Sequence, residues 1–176
     1  MSGSVGDNTA RASGVIASAG GGGKILQVVN IIKTDASLIS TSWSDISGLS
    51  VAITPSDTSS KIYIDCNVSA AGGRASWVKL LRDIGGAGYA DSTFIGDAAS
   101  SRIQCSISTT HTDYGQVNGN IGYLDTTNTT SEVTYKLQGK ATSSSYKLGI
   151  NQDWSDADSW EYGRSASSMT LYEIGA

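Results

Sequence analysis

From Lys61 to Ser69 apolar and polar side chains alternate one by one. Ile62, Ile64, Cys66 and Val68 share one phase, and Lys61, Asp65, Asn67 and Ser69 share the other. Neighbouring side chains of a strand point to opposite faces, so a period of two prescribes a half-covered strand and excludes an amphipathic helix. The period recurs along the chain. Ser50–Thr54 alternates and halts at Pro55, the only proline, where Ser56 and Asp57 open a turn. Ile25–Lys33 reads as a buried strand, and Ser76–Arg82 as a strand closed by a Gly85-Gly86 turn. Weaker strands are predicted at 101–108 and 117–124, then clearer ones at Glu132–Gly139, Ser145–Asn151 and Met169–Ile174. The gaps are short and carry Asp, Asn, Gly, Ser or Thr. Many short strands at regular spacing predict an all-β chain, a jelly-roll-like antiparallel β-sandwich. No repeat of fixed period is present.

Composition narrows the class further. The chain has 176 residues, enough for one domain with a real core, and 39% of them are hydrophobic against 16% charged. The formal net charge of −4 comes without clustered Lys and Arg, which argues against nucleic acid as the main partner. No apolar run reaches the length of a membrane span, and the N-terminus lacks the pattern of a secretory signal. A soluble protein made in a cytoplasm is expected. Asn67 and Asn128 then match the glycosylation pattern without consequence.

The first 23 residues differ from the rest. Val5, Val15 and Ile16 are their only branched apolar residues, and Gly20–Gly23 form a flexible joint. Asp7 and Arg11 offer charges to a partner surface. The chain therefore divides into an extended N-terminal docking arm (1–23) and a β-sandwich knob (24–176), with a frayed terminus as the alternative for the arm. The last strand stops two residues before Ala176, so the C-terminus is expected to be tied into a sheet.

Catalytic motifs are scarce. The single histidine, His111, has Asp113 two residues on, but no nucleophile completes a triad. Gly20–Lys24 has the composition of a phosphate loop and fails its spacing, and no helix follows. Asp153, Asp156, Asp158 and Glu161 offer oxygen ligands to calcium, yet their spacing does not fit the helix-loop-helix calcium site and its glycine is missing. A solvated acidic loop is the plainer reading. The aromatics within it, Trp154, Trp160 and Tyr162, either cover an end of the sandwich or contact a neighbour or a ligand, host glycan among them. Cys66 and Cys105 match no metal motif and are expected as small buried residues, with a disulfide between facing strands left open. No cofactor or metal is expected.

Several segments together resemble a known family. They are Lys24–Val29, Thr41–Pro55 with Trp43 and Ile46, Ser59–Ile62, Tyr123–Ser131, Thr134–Leu137 and Thr170–Ile174. In this order they are similar to small virion proteins of tailed bacteriophages, common in marine and cyanobacterial phages. The resemblance spans most of 24–176 and departs most over 65–120. It implies a jelly-roll knob, trimeric, placed in the virion and without enzymatic activity. Trp43 and Ile46 would fill the core under a turn. The expected partner is the major capsid protein, or another virion protein, held through the arm.

Three functions follow as expectations. The first is a capsid decoration or cement protein whose arm lies on the shell while the knob projects. The second is a receptor-binding tip of a tail fibre or baseplate that recognises host glycan or protein. The third, and weakest, is a depolymerase: glycoside cleavage needs two placed carboxylates, and the candidates all share one loop.

Overall fold

The structure is a computed structural model that describes residues 23–91, 93–109 and 115–176. Ten strands follow in order: β1 Ile25–Lys33, β2 Ser37–Ile39, β3 Ser44–Ile53, β4 Lys61–Gly72 and β5 Ser76–Ile84, then β6 Ile107–Thr109, β7 Val117–Thr126, β8 Val133–Ala141, β9 Leu148–Ile150 and β10 Ser167–Ile174. Every pairing is antiparallel. One sheet runs β1-β10-β4-β7, and the short pair β2-β9 extends it where β9 takes over from β10 along β4. The other sheet runs β3-β8-β5-β6. Numbering the eight main strands in sequence gives the orders 1-8-3-6 and 2-7-4-5, which is the strand order of a jelly roll. The expected fold class holds.

Period two places the core. Inward residues of both sheets, such as Ile62, Ile64, Leu80, Leu137 and Leu171, have no exposed surface. Each such side chain contributes about 1.5–3 kcal/mol of burial. One polar clamp crosses this interior. Asp125 of β7 accepts from Arg82 Nη1 of β5 at 2.6 and 2.8 Å and from the Tyr135 hydroxyl of β8 at 2.7 Å. Burial, and then the neighbouring Asp125, push the Tyr135 phenol above its ordinary value. Phe94, from the loop between β5 and β6, seals that end against Tyr123 and Tyr135.

The turns predicted at Pro55 and at Gly85-Gly86 form, and another is bonded after β7. Asp57 Oδ1 accepts from Ser59 N at 2.8 Å after Pro55, and Thr129 Oγ1 accepts from Ser131 N at 3.0 Å. Gly85 and Gly86 both adopt positive φ, which glycine alone reaches without strain.

Four expectations are corrected. Ile25–Lys33 is a strand but not a buried one: among the described residues β1 pairs only with β10, and Ile25, Leu26, Val28 and Ile32 stand in solvent. The predicted strand 101–108 reduces to β6, because residues 102–105 are irregular and bonded to the preceding loop, as Gly96 N to Cys105 O at 3.2 Å shows. Cys105 is accordingly half-buried, whereas Cys66 is fully buried, and both thiols are free. Of the pair meant to fill the core, Ile46 does so, but Trp43 is half-buried with the Lys79 ammonium 4.5 Å above its ring.

Candidate functional site

The arm residues Val5, Asp7, Arg11, Val15 and Ile16 lie outside the described residues, as do His111 and Asp113. Gly23, the last residue of the expected arm, is described. Gly175 N donates to Lys24 O at 2.8 Å, and a side chain on Gly23 would sit 2.3 Å from the Gly175 carbonyl oxygen. The end of β10 thus presses on residue 23, and only glycine fits. A cleft of about 370 Å3 opens beside this joint between Lys24, Leu26, Asp57, Ser60 and Gly175.

The acidic loop 151–166 sits at the other end of β10. Its base is rigid for reasons local composition conceals. Asn151, in the left-handed region at φ 60°, is wholly buried. Its Nδ2 donates to Lys33 O at 2.8 Å and Asp35 O at 3.0 Å, and its Oδ1 accepts from Ser167 Oγ at 2.6 Å. Gln116 ties the far side, accepting from Ser69 Oγ at 3.0 Å and donating to Gly163 O at 2.6 Å. The loop is therefore a bonded lobe pinned to both ends of its own gap.

Its carboxylates do not converge. Asp153 is buried and accepts from the backbone NH and hydroxyl of Ser155. Asp156 pairs with Arg164 at 2.5 Å, while Asp158 and Glu161 point into solvent. Among the described residues, no group of three or more His, Cys, Asp or Glu side chains is placed to hold a metal.

The three aromatics separate into two roles. Trp154 is half-buried, its ring 5.2 Å from Tyr146, which lies under the Arg74 guanidinium. Gly73 must lack a side chain because these two rings fill the space over it. Tyr162 is half-buried, and its NH closes a turn onto Ser159 O at 3.0 Å. That turn presents Trp160, which is 94% exposed. Of the three aromatics, Trp160 is the one left open to solvent.

A second surface escaped sequence reasoning. Tyr63, Leu124 and Tyr172 stand on the outer face of their sheet, in the phase otherwise held by Lys61, Asp65, Asn118, Asn120, Ser168 and Thr170. The signal was present: a large apolar residue in the polar phase of an alternating strand has no core to enter.

No protein-family model matches the chain, and no curated protein matches it. Among the described residues no helix is long and apolar enough to cross a membrane.

Proposed function

We propose that the chain is a non-enzymatic virion protein of a tailed bacteriophage, a capsid decoration or cement protein. Its arm docks on the major capsid protein or another virion protein, and its jelly-roll knob projects and self-associates. It is made in the host bacterial cytoplasm and works in the particle.

The observation that carries this reading is the two-ended layout of β10. At Ile174 the strand closes on Gly23, the last residue of the proposed arm; at Ser167 it receives the lobe that displays Trp160. Attachment at one end and contact at the other suit a projecting subunit. The jelly roll is an architecture of capsid and lectin domains alike, so the fold fits without deciding between them.

Deleting residues 2–23 tests the reading. The knob is expected to fold and to be lost from purified particles. A truncated protein that still co-purifies with capsids would overturn it. If the protein is cement, particles without it open at lower temperature, because a ligand of the assembled state stabilises that state.

Trp160 favours a second reading, the receptor-binding tip of a tail fibre or baseplate that recognises host glycan or protein. Trp160→Ala would then abolish adsorption to host cells and leave incorporation unchanged. Unchanged adsorption would count against the tip.

A further inference from the structure

The outer face of β1-β10-β4-β7 carries an unbroken apolar row. Register sets Val28 beside Tyr172, Tyr172 beside Tyr63, and Tyr63 beside Leu124, one residue from each of four adjacent strands. Val28 is 54% exposed, Tyr63 39% and Leu124 56%. The Tyr63 and Tyr172 rings sit 6.0 Å apart, so the row is packed within itself and open above. Single exposed apolar residues need no explanation, but a contiguous row across a whole sheet does.

The charges beside the row indicate what covers it. Lys61 and Asp65 lie on the same strand and face as Tyr63, two residues to either side. Neither forms an ion pair among the described residues, and Asp65 accepts only a 3.2 Å bond from Asn120.

We propose that this face packs on the same face of a second copy of the chain, about a two-fold axis lying along the row. Such an axis sets each residue of the row over its own counterpart. It also reverses the strand direction, so Lys61 of each copy meets Asp65 of the other, giving two identical ion pairs. An isologous contact must be self-complementary in this way, and Lys61-x-Tyr63-x-Asp65 is. With Tyr63 on the axis, strand meets strand over Lys61–Asp65, and the Ser69 end is already covered within the chain. Strands about 4.8 Å apart rising about 3.3 Å per residue make that contact about 19 Å by 16 Å, a small interface whose strength rests on the apolar row and the two ion pairs.

Light scattering and sedimentation of the full chain at micromolar concentration test the pairing, independently of any place in a virion. The wild type is expected as a dimer. Lys61→Asp sets like charges against each other twice and should weaken the dimer about tenfold or more. Adding Asp65→Lys reverses both charges, restores complementarity and should return the affinity to within about threefold of wild type. Leu124→Ser should weaken the dimer by removing apolar contact alone. Melting temperature reports that each variant is folded. A wild-type monomer, a trimer indifferent to these changes, or a double variant no tighter than Lys61→Asp overturns the proposal.

Discussion

The two outer faces of the sandwich are made by the same kind of strand and end differently. On β3-β8-β5 the outward charges Asp45, Lys79 and Lys136 are satisfied within the chain. Lys136 bonds Asp45 at 2.9 Å, Gln138 bonds the same carboxylate at 2.7 Å, and Lys79 bonds Asp91 at 2.6 Å. The loop after β5 folds back over this face and brings Tyr89 within 3.7 Å of the Lys136 ammonium. On β1-β10-β4-β7 the 151–166 lobe and Gln116 cover only the Ser69 end, and Val28, Tyr63 and Leu124 remain open. A face that a chain covers with its own loop is closed to others. The bare apolar face is the one left for association.

The largest expected effect comes from the clamp that joins both sheets beneath those faces. Asp125→Ala strips Arg82 and Tyr135 of their shared acceptor inside the core. Removing one partner of such a buried pair costs about 3–5 kcal/mol, so urea unfolding should show a much lower midpoint. A loss below about 1 kcal/mol would mean that water replaces the carboxylate.

Acid should act on the bare-faced sheet next. Burial alone would raise the Glu173 carboxyl, but bonds from Ser56 and Gln27 outweigh it and hold the group below its usual 4.5. The folded protein therefore binds this proton less tightly than the unfolded chain. The stabilisation is complete above about pH 4.5 and is lost as pH falls toward the lowered folded value. Melting temperature should drop across that window, and Glu173→Gln should flatten the drop. An unchanged slope in that variant would place the acid sensitivity elsewhere, with Asp45 on the opposite face the next candidate, since bonds from Lys136 and Gln138 lower it as well.

Substitutions on the two outer faces sharpen the contrast. Lys79→Ala removes a partly exposed ion pair and a cation over Trp43, and should cost about 1 kcal/mol of stability with no change in association. Leu124→Ser should do the reverse. If both variants shift stability alone, the two faces are equivalent and the contrast fails.

The smallest effect is chemical. Burial, and then Asp65 beside it, push the Cys66 thiol up to about 12, while burial raises the half-buried Cys105 thiol. A thiol reagent should label Cys105 first in the native protein and both cysteines in denaturant. A single labelled thiol in denaturant would indicate that one is blocked.

Much of this architecture was legible in alternation. Lys61–Ser69 falls within β4, and the break at Pro55 is a bonded turn, because both depend on local chemistry. The first half of β3 was missed: Gly48, at φ 81°, breaks the alternation where the β3–β8 register slips between Asp45 and Ser50. The exposure of β1 was misread because apolar side chains mark a strand without saying whether anything covers it. The Arg82–Asp125–Tyr135 clamp and the Asn151 anchor join residues far apart in sequence, and no local pattern encodes such meetings. In the acidic loop, residue type pointed to a contact, but only packing separated Trp160 from Trp154.

The antiparallel register of β1 and β10 has a mechanical consequence. A pull on residue 23 draws β1 from one end of the pair, and a pull through the Trp160 lobe draws β10 from the other, along the same line. The eight residue pairs from Ile25–Ile174 to Lys33–Ser167 then bear the load together, in shear. A tether at the Lys33 end of β1 would instead peel them apart one at a time.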